Sequence, residues 1–382
     1  MRIALVHSFY SSRQPSGENA VVESQYNALR RAGYEVQLFA AHTDHLEGSL
    51  LYPVRAAFRV ATGRGANPLK AIRRFRPDVV HIHNLFPNFG RRWVNDLDVP
   101  VIHTLHNYRP LCANGLLLRA GRVCTDCLNG RRWSGLAHAC YRGSHLATLP
   151  PAWAGRKGPL ADPVISRADR LLVLTKLQRD LYARAGVPRQ KMSVAPNFLP
   201  DELDAGFDPV ARRRGFLFVG RLTEEKGIVK LLERWPSGTT LQIIGDGPAR
   251  EQVERLARAR DGVTLMRRAS RREVLNAMRH CGYLVFPSVW YEGLPLVYLE
   301  ALSCGLPVLA FQPCAPAQLV RSERTGLSLT WEQPVSDMIA ALPRPSPDLQ
   351  AACRRTFEAR YSEDAFLCRF ASLVASVISP NG

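Results

Sequence analysis

The chain has 382 residues, too many for one ordinary core and about right for two domains. At 46% hydrophobic and 22% charged, with no low-complexity tract, it reads as globular, and no apolar run reaches the roughly 18–20 residues that a membrane span needs. Its net charge of +18 asks for an anionic partner or surface, and nine cysteines, an odd number, argue against a disulfide framework.

The opening run Met1–His7 is too short for a secretory leader and reads as a first strand, so a cytoplasmic protein is expected. Further strand candidates follow at Glu35–Ala40, Val79–His83, Val101–His106 and Arg170–Thr175, after a first at Ile3–His7. Their apolar positions run consecutively, as in strands covered on both faces. Between the first two, Val21, Val22, Tyr26 and Leu29 recur at helical spacing within Gly17–Arg31, and Gly33 supplies a C-cap. Pro196–Arg214, with Pro200, Pro209 and a basic run, reads as a linker.

The pattern then restarts. Gly215–Gly220, Thr240–Gly245, Val263–Met266, Tyr283–Pro287 and Pro307–Phe311 read as strands, with helices near Ile228–Trp235, Pro248–Arg260, Arg271–His280 and Gly293–Cys304. After Pro347 the chain is helical, and Ala365–Val377 is suited to pack back on the first domain. The expected fold is α/β, two Rossmann-like domains facing each other across a cleft. The domains are read as 1–195, with a cysteine-containing insertion over 109–157, and 215–355, joined by a linker over 196–214. A last helical segment, 356–382, crosses back. Ligands of such sheets sit at the carboxyl ends of the strands.

Three stretches carry chemistry. Phe286–Ala301 places Glu292 where a helix is expected to begin and Glu300 two turns along it. Helix N-termini suit phosphate, and carboxylates accept hydrogen bonds from sugar hydroxyls. Gly220–Gly227 sets Arg221 and Lys226 between a strand and a helix, where a diphosphate would rest. Pro15–Asn19 is a small-residue turn into the first helix. Taken singly, each also fits a plain structural role: a first-turn acid, a salt-bridge partner, a mixed-charge turn.

In this order the stretches resemble retaining glycosyltransferases of family 4, which have the GT-B architecture. The resemblance covers nearly the whole chain. It is most specific over FPSVWYEGLPLVYLEALSCGLPV, residues 286–308, and extends to Gly220–Gly227, Gly245–Pro248, Ala195–Asn197 and Asp78–His83. It implies a nucleoside diphosphate sugar donor, UDP- or GDP-linked, and transfer that keeps the anomeric configuration without an obligatory metal. Catalytic roles would fall to Glu292, Arg221, Lys226 and His106. Donor binding would involve Gly17, Glu300, Gly220, Gly293 and Leu294, with the base against a loop at Leu265–Ala269 that includes Arg267. Within this set Glu300 would hold the ribose and Glu292 the transferred sugar. Three positions depart from the family pattern: Ser16-Gly17 in place of a double glycine, Gln318 where an acid is common, and Phe198 after Pro-Asn.

His81, His83 and His103 also lie near strand ends, where most histidines are satisfied core or loop residues. Cys112, Cys124, Cys127 and Cys140 are spaced C-x11-C-x2-C-x12-C in a loop-like, Arg/Gly-rich segment. Four thiols could close a structural zinc site, with His138 as a substitute ligand, but one Cys-x-x-Cys pair is half of a zinc ribbon, and reduced structural cysteines are the rival reading. Basic residues crowd the first half, from Arg55 to Arg76 and from Arg109 to Arg142. With Trp133, Tyr141 and Trp153 they suggest a glycan or lipid-pyrophosphate-linked acceptor and peripheral contact with an anionic membrane, the inner face of the plasma membrane. A zinc-containing nucleic-acid-binding protein explains the charge and leaves Glu292, Glu300, Arg221 and Lys226 unused, so nucleic acid is not the expected partner. A sugar-nucleotide epimerase is the other alternative.

Overall fold

In the computed structural model, residues 1–12, 16–201, 213–267 and 269–378 are described. The chain forms two compact units. One comprises Met1–Arg119, Cys124–Asn197 and the segment from Phe366 onward; the other comprises Phe198–Ala365 with Ala120–Val123. Both are parallel α/β sheets.

The strands of the first half are β1 (Arg2–Phe9), β2 (Glu35–His42), β3 (Val79–Asn84), β4 (Val101–Leu105), β5 (Leu118–Arg119), β6 (Arg122–Val123), β7 (Arg170–Val173) and β8 (Met192–Val194). Six of them make one sheet in the order β2-β1-β3-β4-β7-β8, all pairs parallel, while β5 and β6 form a separate two-stranded ribbon. The consecutive apolar runs seen in the sequence have their cause here: Ile3–Val6 and Val79–Val80 are buried on both faces. On one face Ile3, Leu5, Val79 and Ile102 pack with Phe370, Val374 and Val377 of the last helix, Glu363–Ile378. Helix Gly17–Arg31 buries Val21, Val22, Ala28 and Leu29, and Ser16 caps it by accepting from the Glu18 N–H at 3.3 Å. The residue that breaks the family's double glycine therefore serves as an N-cap.

The second unit has β9 (Arg214–Val219), β10 (Leu241–Ile244), β11 (Val263–Met266), β12 (Cys281–Phe286), β13 (Val308–Phe311) and β14 (Gly326–Leu329), ordered β11-β10-β9-β12-β13-β14 and all parallel. Its core gathers Phe218, Leu231, Leu241, Ile243, Val285, Leu309 and Phe311. At its start, Leu199 bridges to Ser362 and Asp201 ion-pairs with Arg354. Most of the expected linker, residues 202–212 with Pro209, lies outside the described residues.

Several elements were not readable from pattern. β8 and β14 are three and four residues long and carry Ser or Gly, too short for periodicity to register. Helix His145–Gly155 holds Pro150 and Pro151, which a sequence reader takes as breakers.

Candidate functional site

In the second sheet the strand order reverses between β9 and β12, because β9 leads outward to β10 and β12 outward to β13 on the other side. Such a reversal opens a crevice at the carboxyl ends of the two strands. The Gly220–Gly227 loop leaves β9 there and the Pro287–Pro295 loop leaves β12. Gly227 has φ +71°, and a Cβ on it would stand 2.0 Å from the Pro287 carbonyl oxygen, so only glycine lets the loops touch. A Cβ on Gly245, after β10, would likewise fall 1.9 Å from the Gly220 oxygen.

This close approach brings two expected residues together. Lys226 Nζ ion-pairs with Glu292 Oε1, both side chains being largely buried, and Lys226 also stands 5.7 Å from the centre of the Phe286 ring. Glu292 Oε2 accepts from Ser288 Oγ at 2.6 Å. The buried carboxylate thus has a cation and a hydroxyl, without which its burial would be costly. Arg221 is 58% exposed and makes a 3.3 Å ion pair with Glu225, a screened contact that an incoming anion can replace.

The sequence expectation for Glu292 needs correction. Pro295 caps a helix that starts only at Leu296, so Glu292 lies in the loop and not in a helical first turn. Gly293 and Leu294 complete that loop, and the Leu294 side chain is buried. Glu300 lies on helix Leu296–Ser303 and is not part of the Lys226 cluster; it pairs at 3.3 Å with Arg271, the first residue of helix Arg271–His280. Arg271 had not been singled out, and its only sequence signal was a cation opening a capped helix. Leu265 packs against the core, Arg267 is exposed just past β11, and Arg268 lies outside the described residues, as does Pro15 of the first small-residue turn.

The first sheet reverses between β1 and β3, and five imidazoles gather there, His83, His103 and His106 on a cavity wall and His7 and His81 buried behind them. His81 takes a hydrogen bond from Gln25 Nε2 at 2.8 Å on Nδ1 and gives one to Thr104 Oγ1 at 2.8 Å from Nε2. His7 Nε2 donates to Asn19 Oδ1 at 3.1 Å, and His103 Nδ1 donates to the Ile82 carbonyl at 2.9 Å. His83 Nδ1 and His106 Nε2 share one proton at 2.9 Å, their rings stacked 5.2 Å apart. Burial disfavours the charged form in every case. It pulls His7 down to about 4 and His81 to about 3, holds His83 and His106 well below the ordinary value, and lowers His103. The whole group is therefore neutral at pH 7. His106, expected from the resemblance, is thus positioned by His83, whose Nε2 is itself buried without a hydrogen-bond partner.

A cavity of about 100 Å³ opens beside these rings, with His83, Asn84, Phe86, Arg91, His106 and Arg109 on its walls. Arg109 lies over the Phe86 ring at 3.7 Å and faces the Tyr141 ring at 5.5 Å. Glu18, near Arg109 and Asn107, has one carboxyl oxygen buried without a hydrogen-bond partner. Burial raises its pKa to about 8 against the pull of Arg109 and of a hydrogen bond to Asn107. Sequence reasoning passed over Glu18 because a first-turn helix acid is ordinarily solvated. Gly17 sits one residue before it, exposed at the start of its helix.

The four cysteines share one neighbourhood. Cys124 N–H donates to the Leu117 carbonyl at 2.8 Å and Cys140 N–H to the Gly135 carbonyl at 3.0 Å, while Cys127 Sγ would be 3.7 Å from a Cβ on Gly135. Burial, followed by the charge of Cys112, raises the Cys127 thiol to about 11. Even so, among the described residues no group of three His, Cys, Asp or Glu side chains is arranged to hold a metal ion.

Comparison with known proteins matches both halves of the chain to glycosyltransferases. Residues 15–203 match the model described as Glycosyltransferase Family 4, and residues 213–344 match Glycosyl transferases group 1. An uncharacterized glycosyltransferase of Haemophilus influenzae is 29% identical over 191 residues, 47% of this chain and 52% of that one. The amylovoran biosynthesis glycosyltransferase AmsD of Erwinia amylovora is 28% identical over 167 residues, 41% of this chain and 47% of its own. These matches span about half the length of the curated relatives. Two solved structures share the fold. Sucrose-phosphate synthase from Thermosynechococcus elongatus has a TM-score of 0.67 at 18% identity and covers 100% of both chains. HepE of Anabaena in complex with UDP has a TM-score of 0.62 at 14% identity, covering 98% of this chain and 100% of its own.

Proposed function

We propose that this chain, which belongs to glycosyltransferase family 4, moves a sugar from a UDP- or GDP-linked donor onto a hydroxyl of a glycan or lipid-linked acceptor in cell-surface polysaccharide synthesis. The observation that carries the reading is the Lys226–Glu292 pair beside exposed Arg221 at the strand-order reversal of the second sheet. The UDP held by the Anabaena protein supports a uridine donor, and the role of the Erwinia protein supports a polysaccharide product.

The chemistry follows from charge. As the bond from the anomeric carbon to the diphosphate oxygen breaks, the leaving group takes the electron pair. Arg221, a planar fork, and Lys226, a point charge, stabilise that developing charge and fill the part a divalent cation plays elsewhere. Glu292 holds Lys226 in place and accepts from a hydroxyl of the sugar. The acceptor hydroxyl attacks from the face the diphosphate leaves and gives its proton to the departing oxygen, so configuration is retained. His106, neutral and steered by His83, supplies a hydrogen bond to the sugar without adding a cation that would compete for the diphosphate. Glu300 receives the ribose hydroxyls once Arg271 gives way. Neither alternative is favoured: a nucleic-acid-binding protein leaves this set unused, and an epimerase, which would bind the same donor, is disfavoured by the match of both halves of the chain to glycosyltransferase models.

A thermal-shift screen against UDP, GDP, ADP and their sugar conjugates tests the proposal, with Glu300→Ala run in parallel. Saturable stabilisation by one nucleotide, weakened in the variant, is expected. Absence of stabilisation by any of them would sink the donor assignment.

A further inference from the structure

Two surface helices of the first unit turn an apolar stripe outward. In Tyr52–Thr62 no residue is buried. Leu51, Val54 and Phe58, spaced by three and four, are all exposed; Val54 is 68% exposed, and Leu50 just ahead of them 97%. Helix His145–Gly155 buries Thr148, Pro151 and Ala152, and at the same spacing turns out Leu146, 84% exposed, with Leu149 and Trp153. The two helices pack side by side. Trp133 meets Trp153 with ring centres 6.2 Å apart, and the Arg156 guanidinium lies 4.0 Å over the Trp153 ring. Nine of the fourteen large hydrophobics exposed among the described residues fall within Leu50–Phe58 and Trp133–Leu160. Scattered apolar residues need no explanation, but a concentration of this kind marks a contact surface.

The stretches of sequence that carry these two helices hold charge of one sign. Between Glu47 and Asp78, and again between Asp126 and Asp162, the sequence contains no Asp or Glu, while the same two stretches hold twelve Lys and Arg, Arg55, Arg64, Arg131 and Lys157 among them. Exposed apolar side chains and tryptophans on two packed helices, in stretches that carry exposed cations and no acid, match the headgroup–acyl boundary of a bilayer with negative lipids. A two-fold contact with a second copy would set these cations against one another, and a nucleic acid would leave Leu50, Val54, Phe58 and Leu146 in water. No helix among the described residues is long and apolar enough to cross a membrane.

We propose that the face formed by Tyr52–Thr62 and His145–Gly155 docks the protein on an anionic lipid bilayer, lying on the surface without crossing it. The inference deepens the proposed function by setting the acceptor at a lipid surface. Its test contains neither donor nor acceptor, so the two stand or fall separately.

The experiment is co-sedimentation with vesicles of phosphatidylcholine alone or with phosphatidylglycerol added, at low and high salt. The wild-type chain is expected to bind the anionic vesicles at least about tenfold more tightly than the neutral ones, and to be released by salt. Val54→Ser with Phe58→Ser, and separately Leu146→Ser, are expected to lower that binding about tenfold with unchanged melting temperature. Leu327→Ser, which removes an exposed leucine in the second unit, is expected to leave it unchanged. Equal binding by all variants, no preference for anionic lipid, or a wild-type dimer that the Val54/Phe58 pair dissociates in sedimentation velocity would each overturn the proposal.

Discussion

The two sheets solve the same topological problem with different electrostatics. In the second, the crevice at the strand-order reversal holds ions that are paired: Lys226 with Glu292 and Arg221 with Glu225. In the first, the corresponding crevice holds neutral imidazoles and a carboxyl, Glu18, that burial keeps protonated up to about pH 8, and the Arg91 and Arg109 guanidiniums stand on the cavity wall. Charge kept paired is charge ready to be handed to a diphosphate. Polar groups kept neutral can hydrogen-bond an uncharged sugar or hydroxyl without attracting the anion.

The strongest way to break this contrast is to remove one ion of the buried pair. Lys226→Met strands Glu292 and is expected to destabilise the chain by about 3–5 kcal/mol, measured by urea unfolding, and to abolish donor binding. Adding Glu292→Gln is expected to restore most of the stability and none of the binding. Were the single variant as stable as wild type, the pair would not be the buried unit described.

On the first sheet, His81→Leu deprives Gln25 and Thr104 of their partner and is expected to cost about 1–3 kcal/mol in the same assay. The imidazoles also predict an acid limb. A histidine with an unfolded pKa of about 6.5 and a native value near 4, as for His7, binds its proton first in the unfolded chain. Stability is therefore full above pH 6.5 and falls as pH drops toward 4. Glu18 works in the other direction. Its native pKa of about 8 against an unfolded 4.5 gives a contribution that is full below pH 4.5 and lost as pH rises to 8. Glu18→Gln is accordingly expected to raise the melting temperature at pH 8.5 by several degrees and to change it little at pH 5. A flat difference between those two pH values would remove Glu18 from the account.

The smallest effect sharpens the comparison. Arg221 is exposed and its pair is screened, so Arg221→Ala is expected to change stability by no more than about 1 kcal/mol. Nucleotide affinity, read by titration, should nonetheless fall at least about tenfold as a charged contact is lost.

The second unit was the more legible of the two. Arg221, Lys226 and Glu292 lie in two short stretches, and the steric demand at Gly227 in the first of them and at Gly245 after β10 explains why glycine stands at both. Where the helix begins was misjudged, because Pro295 sets the boundary three residues past the acid that looked like a first-turn residue. Arg271 escaped notice because its partner Glu300 is 29 positions away. In the first unit, His81 is the satisfied core residue that its place in a strand suggested, but the pairing of His83 with His106 gave no sign, because it joins two strands and no local pattern records it. The helices at Tyr52–Thr62 and His145–Gly155 were hidden too, the first by Pro53 in its first turn and the second by its two prolines. The thiols' spacing was readable; their arrangement in space was not.

The most direct test of the central claim is calorimetric titration of the wild-type chain with the nucleoside diphosphate selected by the thermal screen, in EDTA, alongside the Lys226→Met/Glu292→Gln chain. The account predicts saturable one-to-one binding by the wild type without added metal and at least a hundredfold weaker binding by the double variant. Equal affinity for the two chains, or binding that appears only when a divalent cation is restored, would contradict it.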